Sequence, residues 1–170
     1  MAETHLPEPW LRGTLTDVPA VQRAVLHALE LAREDLTKWC RDLSDAEMNA
    51  RPANLSPVAF HMRHISRSID RLLTYAEGKE LGEAQMDALR HELDPGAGRN
   101  ELFADFASAL DEGASRIRAF RPNQMEEPRT VGKKQLPTTV GGLLVHIAEH
   151  TQRHVGQAIT TTKIVMASRK

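Results

Sequence analysis

The sequence predicts an all-α protein, a four-helix bundle, and two observations carry that prediction. Four long segments repeat apolar residues at the spacing of a helix, while almost no stretch alternates apolar and polar residues as a strand would. Amphipathic helices of this length bury their apolar faces against each other as an antiparallel bundle. The 170 residues suit one such domain, which we assign to residues 1–170.

Charge and composition exclude several classes of protein. The 22 basic and 23 acidic side chains nearly cancel and form no basic stripe, so we expect no nucleic-acid partner. No apolar run approaches the roughly 20 residues that span a bilayer, so no membrane association is predicted. The first residues lack the pattern of a signal peptide, which predicts a cytoplasmic protein. Cys40, the one cysteine, is interpreted as a small core residue.

The chain begins with a predicted arm followed by a long helix. Residues 1–16 contain two prolines and a glycine and are predicted to be irregular, with Trp10 and Leu11 anchoring this arm against the body. Asp17 is the predicted N-cap of the first helix. His27 lies opposite the apolar stripe of this helix, and we interpret it as a surface or subunit-interface residue. The stripe comprises Val21, Val25, Leu29, Ala32, Leu36, Trp39 and Leu43.

A short capping-box turn at residues 44–47 and a linker at residues 51–54 precede the second long helix. Ser56 is its predicted cap, Pro57 its first residue, and Gly78 its end. Residues 82–92 predict a short helix, and residues 94–98 a break. The long connection near residues 77–100 leaves room for a crossover. The apolar stripe of the second helix comprises Val58, His61, Met62, Ile65, Ile69, Leu72, Leu73 and Ala76.

The third helix is predicted from about Leu102 to Phe120, with Gly113 on its apolar face allowing a neighbouring helix to come close. Residues 121–137 form a long polar loop with three prolines, in which a small hairpin around Gly132 is predicted. Connections of this length are often functional, for example as lids. A threonine at position 138 or 139 caps the fourth helix, which is predicted to end near Met166.

Histidines are concentrated in the fourth helix, in the segment HIAEHTQRHVGQ at residues 146–157. A helical wheel places His150 and His154 at the centre of the buried stripe, and His146 at its edge beside Gln157. Two imidazoles four residues apart on a helix can bind one metal ion. Burying them without partners would be costly. The pair therefore indicates either a metal site or hydrogen-bonded core histidines.

The second helix offers a third ligand in the segment HMRHISRS. His61 lies on the apolar stripe, and periodicity favours it as the more buried residue. His64 lies beside the stripe on a semi-polar strip with Ser68 and Tyr75, and a strip that lines a site would favour His64. Periodicity does not choose between the two histidines.

Two segments, HISRSIDRLLTYAEG at residues 64–78 and the closing histidine motif, resemble the DinB family, which shares its fold with bacillithiol transferases of the YfiT type. The resemblance implies an up-down-down-up four-helix bundle, often dimeric, that binds a divalent metal ion, commonly nickel or zinc. The ligands that it implies are His64, His150 and His154. The residues predicted to support these ligands or to line the pocket are His61, His146, Gln157 and Ser68.

Three functions are compatible with such a site. The first is a metal-dependent enzyme with thiol S-transferase-like chemistry on small electrophiles, using a small-molecule substrate such as a low-molecular-weight thiol. The second is a metal-dependent hydrolase that uses metal-bound water. The third is a non-catalytic, stress-related bundle that binds a metal or ligand. Neither histidine segment contains an obvious general base, and a homodimer is expected from the resemblance.

Overall fold

The computed structural model describes residues 6–94 and 96–169. Its four long helices form the predicted bundle, and two short helices and one hairpin lie between them. None of the described helices is long and apolar enough to cross a membrane. In chain order the elements are α1 (Ala20–Cys40), α2 (Asp45–Met48), α3 (Val58–Ala76), α4 (Glu83–Arg90), α5 (Arg99–Ala119), β1 (Pro128–Val131), β2 (Leu136–Thr139) and α6 (Val140–Ala167).

The four long helices form a closed ring in the order α1, α6, α3, α5. The helices α1 and α6 run in the same direction, because Gln152 donates to the carbonyl of Ala28 near their middles and Cys40 lies 3.2 Å from Thr162 further along both. Every apolar face meets a neighbour in this ring, which is why the periodic stripes of the sequence became the core.

The other two long helices run opposite to α1 and α6. Gln22 at the start of α1 donates to the carbonyl of Phe120 at the end of α5, so these helices are antiparallel. On α3, Ser56 just before the helix accepts from Thr161 near the end of α6. The topology is therefore up-down-down-up, as the family resemblance implies.

The parallel arrangement of α3 and α5 requires the chain to travel the length of the bundle between them. Residues 77–98 make this crossover, with α4 at its centre. The two helices approach closely at Gly113, where an added Cβ would lie 2.7 Å from Ile69 Cγ2. The predicted role of Gly113 is confirmed, and so is the core position of Cys40, which is fully buried.

The helix ends differ from the prediction where proline is involved. Helix α1 begins at Ala20 with Pro19 as its N-cap, so Asp17 caps nothing. Helix α3 begins one residue later than predicted, with Pro57 as N-cap. In both prolines ψ is close to 150°, an extended conformation that holds the residue outside the helix. The predicted cap at Thr139 is confirmed, since its hydroxyl accepts from the Gly142 amide.

The N-terminal arm is held by an arginine and by apolar residues other than the predicted pair, since Pro9 is buried and Leu15 packs against the core. Trp10 and Leu11 are 61% and 57% exposed, so the prediction that they anchor the arm is wrong. Arg12 makes the anchor instead, because its guanidinium donates to Glu30 and forms two hydrogen bonds with Glu34 on α1.

The arm also covers His27, which the sequence predicts to be a surface or subunit-interface residue. His27 is buried, with Nε2 3.1 Å from the hydroxyl of Thr14. The side of α1 opposite the bundle core is therefore shielded by the chain's own N-terminal residues. The wheel of a single helix contains no information about such a covering segment.

The predicted hairpin around Gly132 is present as the antiparallel pair β1 and β2. It packs at the C-terminal end of α3, where Arg129 donates to the carbonyl of Ala76. Ala76 lies roughly 18 Å along α3 from His64. This loop is therefore distant from the histidines and does not cover them.

Candidate metal centre

Three histidines meet where α3 packs against α6. His64, His150 and His154 each offer a ring nitrogen, and these atoms all lie within 4.8 Å of one another. The Nε2 atoms of His64 and His150 are 3.2 Å apart. The ring centroids of His64 and His154 are 4.4 Å apart, and those of His150 and His154 are 4.6 Å apart. A single ion at this position could contact all three residues.

The structure distinguishes the two histidines that periodicity left open. His64 belongs to the group of three, while His61 is more deeply buried and lies behind His154, with the two Nδ1 atoms 3.0 Å apart. Periodicity correctly favoured His61 as the more buried residue. On α3, the residue that faces His150 and His154 is nevertheless His64. A site where two helices meet lies beside the apolar stripe of each helix and not at its centre.

For the same reason, the position that the helical wheel predicts for the histidines of α6 is wrong. His150 and His154 are only half-buried and do not occupy the centre of the buried stripe. That centre lies roughly 60–100° further round the helix. Helix α6 packs against both α1 and α3, so its buried side faces the bundle axis and the histidines face the seam with α3. The central residues are Leu144, Ile147, Thr151, Val155, Ala158 and Thr162.

Glu92 is part of this centre, although sequence analysis missed it. It lies in the crossover after α4, and its side chain is only 8% exposed. Its Oε2 atom is 2.7 Å from Nδ1 of His64, and its Oε1 accepts from Arg71 at 2.7 Å. A carboxylate on the far nitrogen of a metal-binding histidine is a common arrangement, since it orients the ring.

Three arginines on α3 hold this part of the crossover in place. Arg63 donates to the backbone carbonyl of Glu92, and Arg67 donates to the carbonyl of Ala88 at the end of α4. Arg71 completes the set through the Glu92 side chain. Their spacing of four residues places all three on one face of α3. The crossover is thus fixed to α3 by guanidinium groups.

The electrostatic surroundings favour neutral imidazoles. Burial, and then the neighbouring imidazoles, lowers the pKa of His61 and of His150 to about 4. Burial, followed by the neighbouring His64 and Arg153, lowers the pKa of His154 to about 4 as well. These three rings are therefore neutral at pH 7 and each retains a lone pair. Neutral imidazole is the form that binds metal.

Glu92, in contrast, is ionised. Burial alone would raise the pKa of its carboxyl, but hydrogen bonds with His64 and Arg71 outweigh burial and hold the pKa below its usual value. The centre therefore combines uncharged nitrogen donors with one anchored carboxylate behind them. This donor set fits a borderline divalent ion such as zinc or nickel, for which imidazole is a preferred ligand.

The remaining predicted residues take different positions. Ser68 is buried one turn from His64, with its hydroxyl 3.4 Å from His64 Nε2. His146 is more open, since its side chain is 44% exposed, and it bonds to Glu149. Its ring lies 5.4 Å from that of His150. Gln157 is exposed and lies in a cleft beside the centre.

That cleft has a volume of about 620 Å³. It lies between the start of α3 and the second half of α6, and His61 joins it to the histidine group because it both lines the cleft and contacts His154. Clefts of small-molecule sites commonly measure about 300–1,000 Å³. Most of the residues that line it have polar side chains; they are Asn54, Leu55, Ser56, His61, Arg153, Gly156, Gln157, Thr160 and Thr161.

Fold and site together define a class: a four-helix bundle with a histidine group, suited to a divalent ion, at one helix seam. The model of the DinB superfamily matches residues 28–158, which is most of the sequence, and the chain belongs to this superfamily. The prediction from the two segments is confirmed.

One solved structure shares this fold over its own whole length and over most of the present chain. It is described as the conserved protein of locus from Enterococcus faecalis, and it matches with a TM-score of 0.72 and 19% sequence identity. The alignment covers 89% of this chain and 100% of that chain. At this identity the likeness supports the fold alone. No curated protein matches the sequence.

Proposed function

We propose that this protein is a metal-dependent enzyme with thiol S-transferase-like chemistry on small electrophiles. The observation that supports this most is the convergence of His64, His150 and His154 within 4.8 Å. Sites with three protein ligands keep coordination positions open, which is typical of catalytic rather than structural metal sites. The resemblance of the chain to thiol transferases supports a thiol as the nucleophile.

Zinc or nickel is the proposed ion, held by these three histidines. When bound, it would supply Lewis acidity that lowers the pKa of a thiol or water beside it. The chain's own residues set the positions of the ligands. His61 packs its Nδ1 against that of His154, and Glu92 accepts a hydrogen bond from His64.

The cleft beside His61 is the proposed binding site for the body of the thiol. Its hydroxyl and amide groups, on residues such as Ser56, Gln157 and Thr160, can pair with a polar small molecule. The guanidinium of Arg153 adds a positive charge for an anionic group, although it also bonds to Glu149. A ligand in this cleft would lie next to the histidine group through His61.

Hydrolysis is a weaker alternative because water needs a group that accepts its proton. Both oxygens of Glu92 already have partners in His64 and Arg71. Glu149 points outward and accepts from His146 and Arg153. A thiol, with an ordinary pKa of about 8.5, needs less assistance to ionise than water does. These contacts favour the transferase.

Elemental analysis of protein purified without chelator tests the metal site. We expect about one divalent ion per chain in the wild type and a large loss in His64→Ala and His154→Ala. His91→Ala is the matched control, since His91 is an exposed histidine whose ring contacts Asp87 on α4. Undiminished metal in both cluster variants would contradict the assignment.

The chemistry is tested with a panel of small thiols and the electrophile monochlorobimane. Metal-loaded wild type should accelerate conjugation above the rate of the free thiol, and His154→Ala should not. If loaded protein gives no acceleration with any thiol, the transferase proposal fails. Hydrolysis of ester and amide substrates, or ligand binding without turnover, would then be the function to pursue.

A further inference from the structure

We propose that Glu92 is a positioning residue that fixes the ring tautomer of His64, so that its Nε2 lone pair faces the metal centre. The inference rests on the proposed metal site and extends it to the crossover, which the sequence motifs do not include. Among the residues that the structure describes, Glu92 is the most buried carboxylate, and its side chain is 8% exposed.

The tautomer follows from the chemistry of the contact. Glu92 accepts from the Arg71 guanidinium through Oε1, and the 2.7 Å contact of its Oε2 atom then places a hydrogen on Nδ1 of His64. In a neutral ring the other nitrogen, Nε2, then carries the lone pair. Nε2 faces Nε2 of His150 at 3.2 Å and the Ser68 hydroxyl at 3.4 Å.

Arg71 keeps the carboxylate in this position. It donates to Glu92 Oε1 at 2.7 Å and to the Ser68 hydroxyl at 3.1 Å, so one guanidinium orders both neighbours of His64. Arg63 holds the backbone of Glu92 through its carbonyl. The carboxylate is fixed from both sides, which leaves positioning as its role rather than proton transfer.

The substitution Glu92→Gln reverses the contact at nearly constant volume. A guanidinium can only donate, so the glutamine oxygen should turn towards Arg71 and its NH₂ group towards His64. Nδ1 of His64 must then accept, and its hydrogen moves to Nε2, where it competes with metal binding. The variant therefore tests the tautomer and not merely the presence of a side chain.

Glu77→Gln is the matched control. Glu77 is a partly buried carboxylate next to the C-terminal end of α3, and it accepts from Arg116 as Glu92 does from Arg71. It contacts no histidine of the centre. Zinc affinity, measured by competition with a chelator, should fall about 10- to 100-fold in Glu92→Gln, the usual effect of losing such a partner. It should stay close to wild type in Glu77→Gln.

Nitrogen-15 NMR of the metal-free protein at pH 9 supplies a readout that needs no metal. We expect the His64 hydrogen on Nδ1 in wild type and in Glu77→Gln, and on Nε2 in Glu92→Gln. A wild-type hydrogen on Nε2, or zinc affinity that is equal in the two glutamine variants, would overturn the proposal.

Two outcomes separate this proposal from the proposed function. If wild type binds no zinc, the metal site fails, while the position of the His64 hydrogen still decides the role of Glu92. If Glu92→Gln does not fold, Glu92→Asp takes its place, because the shortened carboxylate cannot span from Arg71 to His64. Zinc affinity in Glu92→Asp that equals the wild type would then contradict the proposal.

Discussion

The two faces of α3 pair polar groups in opposite ways. On the face towards α5, Arg116 donates to Asp70 and Glu77, so a positive group meets negative ones. On the face towards α6, His64 lies against His150 and His61 against His154, so like meets like. Complementary pairs complete their hydrogen bonds within the chain. Pairs of imidazole rings offer nitrogen donors to a cation, and this distinguishes a site from a structural seam.

Zinc should produce the largest difference in stability between the α3–α6 seam, which contains the histidines, and the α3–α5 seam, which contains Arg116. At a free concentration about 1,000 times its Kd, zinc should raise the free energy of unfolding by about 4 kcal/mol, because it binds the folded chain. Chemical denaturation with and without zinc measures this gain. His150→Ala should lose it, whereas Arg116→Met should keep it despite a lower starting stability. A gain that survives in His150→Ala would contradict the site.

Acid should act next, and it should act first on the histidine seam. The folded pKa of His61, His150 and His154 is about 4, below the ordinary value of 6.5 in the unfolded chain. Between these pH values the unfolded chain binds protons that the folded chain does not, so stability is complete above pH 6.5 and is lost towards pH 4.

In metal-free protein, the free energy of unfolding should fall by on the order of 3 kcal/mol between these pH values. This corresponds to one ring, because protonating one ring already disrupts the group. Denaturation curves between pH 4 and pH 8 measure it. Replacing His61, His150 and His154 together by glutamine should flatten the profile, since each of the three pKa values is lowered, and His91→Gln should leave it unchanged. A flat profile in wild type would show that these rings are protonated as easily in the folded state as in the unfolded one.

A methyl group should destabilise the α5 seam. In Gly113→Ala the added Cβ would lie 2.7 Å from Ile69 Cγ2, and Ile69 is buried and cannot withdraw. Overpacking of this kind costs about 1–3 kcal/mol, which exceeds the helix propensity gained. We expect a net loss of about 1–2 kcal/mol in urea denaturation. Stability equal to the wild type would mean that the seam is looser than this contact indicates.

A glycine-to-alanine substitution in α6 should have the smallest effect, and it should raise the stability instead of lowering it. A Cβ added at Gly156 meets nothing within 4 Å, so Gly156→Ala should stabilise the chain by about 0.5–1 kcal/mol. Gly156 also lines the cleft beside His61. An increase in KM for the thiol, without loss of stability, would indicate that substrate lies against this glycine. An unchanged KM would place the substrate elsewhere in the cleft.

Much of the fold follows from the sequence because the helices are strongly periodic. The stripes of α3 and α5 could be read directly, and Gly113 in an apolar face predicted a close approach that the structure contains. The helices α1 and α3 start two residues and one residue later than the sequence predicts, since prolines there adopt extended conformations outside the helix. Covering of His27 by the arm depends on tertiary contacts that periodicity does not encode.

The centre was predictable only in part, for a similar reason. The spacing of His150 and His154 predicts a shared face, and the structure brings them together with His64. Glu92 lies 28 residues from His64 in the chain and reaches it only through the crossover. A signal for it was nevertheless present. Arg63, Arg67 and Arg71 form one cationic row on α3, and such a row needs acceptors from another segment.

The burial of Cys40 has a consequence for the durability of the protein if it acts on electrophiles as proposed. Cys40 is the one cysteine in the sequence, fully enclosed between α1 and α6 and paired with Thr162. Burial raises the pKa of its thiol, so little reactive thiolate forms at neutral pH. On the proposed chemistry, the chain would be spared alkylation by its own substrate, and any bimane label that it acquires would report unfolding.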